Sequence, residues 1–214
     1  GAVYAQKEDV AGAEREFREV IRIAPQALRA YVALAALSPT DSDEREAIYK
    51  EGLEAVPGSP ELSLLLASQY ERQGRVEESI SLYEAMLANN PDNLIATNNM
   101  AALLLDFRDD AASHEQALEL ARKLEATEQP VFLDTLGWAY YRTGDYGRAV
   151  RVLERAVAGA GQVPVLRYHL GMAYAANNNP VGAKQELNQA LEEARADFTG
   201  IDEARAKLEE LNAS

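Results

Sequence analysis

The 214 residues include two histidines, His114 and His169, and no cysteine. Neither histidine has a second histidine or a carboxylate at the spacing by which one helix or turn presents a metal, so no metal site is expected. Without cysteine there is no thiolate nucleophile, no sulfur-ligated zinc and no disulfide. Carboxylates are plentiful, thirty-five against twenty-one basic side chains. They are spaced as solvated helix faces, with pairs such as Glu14 and Arg18 four residues apart supporting helices rather than acid/base chemistry. There is no G-x-x-x-x-G-K-S/T loop, no G-x-G-x-x-G after a strand and no G-x-S-x-G elbow. The chain is therefore expected to be no enzyme and to hold no cofactor. What remains is the chemistry of binding. Trp138, Tyr141, Tyr168 and Met172 offer large contact area at low entropic cost, and the amides of Asn98 and Asn99 can donate to and accept from a peptide backbone.

The elements that must position these residues follow from self-similarity. Leu136-Gly137, Tyr140, Gly144-Asp145-Tyr146, Ala149, Leu153 and Ala156 recur 34 residues later as Leu170-Gly171, Tyr174, Asn178-Asn179-Pro180, Ala183, Leu187 and Ala190. A looser copy runs from Leu66-Ala67 through Tyr70, Gly74, Ser79 and Tyr83 to Pro91. Gly137 and Gly171 fall where one helix crosses another closely, with Ala149 and Ala183 opposite and Tyr140 and Tyr174 filling the wider gap. Gly144-Asp145 and Asn178-Asn179-Pro180 reverse the chain, because Gly and Asn accept left-handed backbone and Pro cannot continue a helix. Each unit is thus expected to be two antiparallel helices.

This pattern resembles the tetratricopeptide (TPR) family, whose 34-residue period carries a W-x2-L-G-x2-Y, A-x3-F and P signature. The resemblance implies an all-α fold, a right-handed α/α superhelix or TPR solenoid, with an array over 1–195. The repeats read as 1–27 (partial), 28–59, 60–93, 94–129, 130–163 and 164–195, with a capping helix in 196–214. In the first, Ala13, Phe17 and Pro25 keep the pattern, and Gly1 and Tyr4 read as the remnant of its opening helix, as in the C-terminal part of a longer array. In the second, Arg45 stands at a small-residue position and Ser38-Pro39-Thr40-Asp41 shortens the first helix. The fourth carries an insertion around Arg108 to His114, read as a longer loop. After Asp197-Phe198-Thr199-Gly200, the spacing of Ile201, Ala204, Leu208 and Leu211 is that of an amphipathic helix, suited to cover a solenoid's last apolar face.

In TPR arrays the first helices line a concave face. The resemblance places Asp134, Trp138, Tyr141 and Arg142 on that face in the fifth repeat, Asn98, Ala102, Leu105 and Asp106 in the fourth, and Tyr168 and Met172 in the sixth. The candidate peptide-binding set is Asn98, Asn99, Ala102, Asp134, Trp138, Tyr141, Arg142, Tyr168 and Met172. Packing of Trp138 against a neighbouring first helix is the alternative role for that residue. The lysine and asparagine by which some TPR modules clamp acidic chaperone tails would fall on Leu64 and Ser68, or on Asn98 and Ala102, and neither pair matches.

The implied function is a protein-interaction scaffold or adaptor that holds a peptide or protein segment. Self-association, or service as a non-catalytic part of a larger enzyme, are the alternatives. A net charge of −14 repels phosphate backbones and anionic lipid, so nucleic acid is not expected as a partner and a neutral or basic segment with apolar anchors is. The longest apolar runs fall far short of the ~20 residues that cross a bilayer, so direct membrane insertion is not expected. The run from Leu133 to Tyr141, the run from Tyr168 to Tyr174, and Asp197-Phe198 are also similar to bacterial TPR proteins of exopolysaccharide and PEP-CTERM/exosortase systems. That similarity implies a periplasmic or cell-envelope setting. The TPR pattern alone is equally at home in the cytoplasm.

Overall fold

The computed structural model describes residues 10–194 and 197–213. Among them are twelve α-helices and no strand. The readings placed on Gly1 and Tyr4 lie outside the described residues. The chain divides into two compact units, 1–96 and 97–214.

In the first unit, α1 (Val10–Ile23), α2 (Leu28–Ala35), α3 (Asp43–Ala55), α4 (Pro60–Arg72) and α5 (Val76–Asn89) pack each against the next. Tyr31, Leu34, Ile48, Leu62, Leu66 and Tyr70 form a continuous core. Ser42 and Ser59 start α3 and α4 by accepting the backbone N–H of Arg45 and Leu62, the usual role of a hydroxyl at a helix start. α2 has only eight residues and stops before Pro39. Arg45, which departs from the small residue of the repeat, turns its guanidinium onto the Ser38 carbonyl at the end of that short helix.

The second unit contains most of α6 (Leu94–Phe107), then α7 (Ala111–Arg122), α8 (Pro130–Arg142), α9 (Tyr146–Ala160), α10 (Pro164–Ala176), α11 (Pro180–Glu193) and α12 (Ile201–Ala213). α8 packs on α9, α9 on α10 and α10 on α11, while α12 lies against both α10 and α11. Proline begins α8, α10 and α11, where its missing N–H costs nothing. The reading of 108–114 as a loop is corrected: only three residues separate α6 from α7. The Asp110 carboxylate accepts from both the N–H and the hydroxyl of Ser113, which draws Ala111 to His114 into the first turn of α7. The extra length of this repeat lies instead after α7, in a single 3-10 turn from Glu125 to Thr127 followed by Glu128 in left-handed backbone.

Three helix ends are closed in the same way. Arg75 N donates to Tyr70 O and Gly74 N to Glu71 O; Asp145 and Gly144 donate to Tyr140 and Tyr141; Asn179 and Asn178 donate to Tyr174 and Ala175. Gly74, Gly144 and Asn178 all have positive φ, at 71°, 84° and 59°. This bond pair is the Schellman closure, in which the left-handed residue favours Gly and tolerates Asn. Where α8 crosses α9, a Cβ built on Gly137 would lie 2.5 Å from Leu153 Cγ, and where α10 crosses α11, one on Gly171 would lie 2.7 Å from Leu187 Cγ. Ala149 and Ala183 are fully buried beside these crossings.

Candidate functional site

On α6, α8 and α10 the stripe residues fall three or four apart, so each helix presents them on one face. The structure brings several of them into a single aromatic stack. The Trp138 indole lies between two rings, Tyr141 at 4.5 Å and 6° and His169 at 4.1 Å and 16°. Tyr168 leans on both Trp138 and His169 at a tilt. His169 Nδ1 lies 2.9 Å and 3.0 Å from the two Asp134 carboxylate oxygens. A carboxylate can only accept, so Nδ1 carries the proton.

The stack divides the candidate residues by accessibility. Trp138, Tyr168, Asp134 and Asn98 are buried, at 5–7% exposure. Trp138 therefore takes the packing role, and Asp134 serves to orient His169. Tyr168 is covered from the far side by Phe198, with ring centroids 5.9 Å apart, and by Gly200. That glycine has φ +91°, and a Cβ on it would lie 2.2 Å from the Tyr168 ring, so only glycine lets the segment ahead of α12 seat there. Asn98 donates to Asn99 Oδ1 at 3.1 Å, and its own Oδ1 is buried without a hydrogen bond. Asn99, Ala102, Tyr141, Arg142 and Met172 are half-buried.

Arg142 is committed internally. Its guanidinium donates to the Leu105 carbonyl, to Arg108 O and to the Asp109 carboxylate, and it lies 2.8 Å from His114 Nε2. The same His114 Nε2 also stands 2.8 Å from the Arg108 carbonyl. Arg142 thus ties the α6–α7 connection to the end of α8 rather than facing outward.

Tyr141 and Met172 instead line a small cavity of about 140 Å³, completed by Ala175, Ala176, Lys207, Glu210 and Leu211. Burial raises the Tyr141 hydroxyl above its ordinary pKa, with Tyr146 adding to the effect and Lys207 opposing it. Burial likewise raises Tyr168, with Glu203, Tyr141 and Asp106 adding to it. Asp106, two turns beyond Asn98 on α6, is surface-exposed by area, yet the helices around it crowd its carboxyl. That desolvation raises its pKa, while His169 and Arg142 lower it in part, as does the nearby Trp138 N–H.

In the first unit the equivalent stripe is consumed within the fold. Arg72 bonds Ser68 and Asp41, and Glu71 accepts from Ser79 and Tyr83. A wider depression along α1 is lined by Glu14, Arg15, Arg18, Glu19 and Arg22, of which Arg22 pairs with Glu19 and Arg18 with Glu51. Among the described residues no group of three or more His, Asp or Glu is placed to hold a metal, and no helix is long and apolar enough to cross a membrane.

His169 and the α12 residues are the members of this site that the stripe does not name; Asp106 is on the stripe but outside the candidate peptide-binding set. His169 was accessible by arithmetic: one repeat is 34 residues, so a residue 35 beyond Asp134 stands next to it on the following first helix. Lys207 and Leu211 carried no such signal, since they lie past the last repeat.

Helix pairs closed by repeated Schellman turns, with glycine at the α8–α9 and α10–α11 crossings, define a helical-repeat protein of the TPR class, and the chain carries tetratricopeptide repeats. Tetratricopeptide repeat models match residues 140–208 and 60–104. A TPR repeat-containing protein of Pseudomonas aeruginosa is 29% identical over 124 residues, 57% of this chain, and the chain spans about a fifth (21%) of that relative's length. Among solved structures, a tetratricopeptide repeat protein from Parabacteroides merdae has TM-score 0.73 at 16% identity, over 99% of this chain and 84% of that one. A thermophilic TPR protein of Thermus thermophilus has TM-score 0.60 at 19% identity, over 96% of this chain and all of that one. YrrB, described as a TPR protein with an unusual peptide-binding site, has TM-score 0.63 at 16% identity, over 88% and 97%. At these identities the likeness is one of fold, the all-α TPR solenoid.

Proposed function

We propose that the chain is a non-catalytic protein-interaction scaffold that takes a peptide or protein segment, neutral or basic with apolar anchors, on the shared face of α6, α8 and α10. The observation that carries this reading is the cavity between Tyr141 and Met172. Large side chains are left half-open there beside a rigid stack, which is the arrangement of a pre-organised anchor pocket. YrrB's description as peptide-binding supports the choice of ligand class. The wider setting, a bacterial envelope or exopolysaccharide assembly, is part of the proposal and rests on the resemblance of the 133–141 and 168–174 runs.

Trp138 is the chain's only tryptophan, and it stacks directly on Tyr141, so its fluorescence reports on ligands at this face. Peptides selected from a random-peptide phage library against the full chain should change that fluorescence on titration. Their affinity should fall about tenfold or more in Tyr141→Ala or Met172→Ala, as expected for an anchor contact. Trp138→Ala is the poorer test, because it removes core. Peptides that bind equally well to both variants would overturn the reading.

A further inference from the structure

We propose that the exposed side of α9, through Arg148, Arg151 and Arg155, is a docking site for an acidic helical segment of a partner protein. The site is separate from the Tyr141–Met172 cavity and goes beyond the function proposed above.

The three arginines fall at i, i+3 and i+7, so one side of α9 presents all of them within two turns. All three are exposed, while Ala149, Val152, Leu153 and Ala156 on the packed side of the same helix are buried. The stripe does not belong to the repeat pattern. Thirty-four residues on, the corresponding positions of α11 are Gly182, Gln185 and Gln189. In a chain with thirty-five acidic and twenty-one basic side chains, α9 carries a local inversion of charge.

The acids around the stripe are already engaged, and they leave guanidinium donors over. Arg148 Nε pairs with Asp145 Oδ2 at 2.7 Å, and Arg155 Nη2 pairs with Glu128 Oε1 at 2.6 Å. Each pair uses one nitrogen and leaves the others to a ligand. Arg151 forms no ion pair or hydrogen bond among the described residues. Glu154, the only acid of α9, accepts from the Tyr174 hydroxyl at 2.7 Å. The Arg148 guanidinium also lies 5.2 Å from the centre of the Tyr140 ring, a contact that steadies its side chain at the start of the stripe.

A guanidinium offers a fork of N–H donors that a carboxylate meets with two parallel hydrogen bonds. The stripe spans about 10 Å of helix, and carboxylates at i, i+4 and i+7 of a second, antiparallel helix cover the same span. At physiological salt the Debye length is about 8 Å, so the arginines on this side, rather than the net charge of −14, decide what it attracts. A long polyanion such as nucleic acid would run past the stripe onto the acidic remainder of the surface, which disfavours it.

Two synthetic peptides test this with the full chain. One carries glutamates at i, i+4 and i+7 of an alanine-rich helix, and its twin carries glutamines there. By fluorescence anisotropy the glutamate peptide should bind more tightly by about tenfold or more, the scale of one hydrogen bond to a charged group. That advantage should disappear in Arg148→Gln/Arg151→Gln/Arg155→Gln, and also on raising salt from about 0.1 M to about 1 M, where the Debye length falls from about 10 Å to about 3 Å. Arg151→Gln alone, which breaks no pair, should already weaken binding and decides the matter if the triple variant fails to fold. Arg205→Gln, which removes a guanidinium from α12, should change nothing. Equal binding of the two peptides, or a glutamate peptide indifferent to Arg151→Gln, overturns the proposal. So does a single-stranded oligonucleotide that displaces the labelled peptide more effectively than the unlabelled peptide does, since the stripe would then be a phosphate surface.

Discussion

His169 and Asp134, 35 residues apart in sequence, meet through Nδ1 and Oδ1 at 2.9 Å on neighbouring first helices of the array. The contact turns a ring that would otherwise be free to rotate into a fixed platform for Trp138. Removing one member of a buried polar pair leaves the other desolvated and unpaired, which costs more than the pair itself contributes. His169→Ala should therefore destabilise the second unit by roughly 3 kcal/mol, and Asp134→Asn by less, since an amide oxygen still accepts from Nδ1. The double variant His169→Ala/Asp134→Ala should cost clearly less than the sum of the two single alanine variants. Denaturant titrations followed by Trp138 fluorescence measure all of these. Additive single variants would show that the two residues do not act as a pair.

The crossing of α8 and α9 gives a second prediction. Alanine at Gly137 would drive a methyl to 2.5 Å from Leu153 Cγ, while alanine at Gly147 would meet nothing nearer than the mobile end of Arg151 at 3.8 Å. Leu153 is fully buried and has little room to yield. Overpacking of this sort costs about 1–3 kcal/mol, against up to about 1 kcal/mol of helix propensity that alanine gains over glycine. Gly137→Ala should lower the unfolding midpoint and Gly147→Ala should leave it level or raise it. The same direction of change in both would refute the close approach.

These two cases mark how far the sequence could be read. The close approaches at Gly137 and Gly171 and the reversals at Gly144 and Asn178 were legible, because each demands a residue type that little else explains. The division of the stripe was not. Helical spacing puts Asp134, Trp138 and Tyr141 on one face, but that face is shared between open surface and the next first helix, and spacing alone does not say which half is covered. Trp138 and Tyr168 went to the covered half, Tyr168 because Phe198 and Gly200 close over it from outside the repeat pattern. Arg142 followed the end of α6 at Phe107, where the Leu105 and Arg108 carbonyls accept from its guanidinium. Loop and helix were confused at 111–114 because the Asp110 cap is a local hydrogen bond rather than a periodic signal.

In the first unit, Glu46 supports a prediction in acid. Arg75, then Lys50 and Tyr70, hold its carboxyl down at about 2 against an ordinary 4.5, with burial opposing them. A carboxylate whose folded pKa is depressed stabilises the fold above its unfolded pKa, and that contribution is lost as pH falls toward the folded value. Stability should thus drain away between about pH 4.5 and 2, by at most roughly 3 kcal/mol from this group. Glu46→Gln should be less stable at neutral pH and should show a flatter decline over that window. Far-UV circular dichroism is the appropriate probe, because the single tryptophan lies in the other unit. A variant with an acid profile parallel to that of the native chain would exclude Glu46 as the source.

Asp106 predicts the opposite sign. Its carboxyl is desolvated and stands at the C-terminal end of α6, so both terms oppose the charge. A group whose folded pKa is raised gives its full stability below the unfolded value, here 3.8, and loses it as pH rises through the folded one. Asp106→Asn should therefore be the more stable protein at neutral pH. The helix-end term alone contributes about 0.5 kcal/mol, a rise of about 1–2 °C in the unfolding midpoint, and the advantage should shrink toward zero as the pH is lowered below 4. Calorimetry of the two proteins across that pH range decides it: an aspartate that stabilises the fold at neutral pH would mean its charge is already satisfied within the chain.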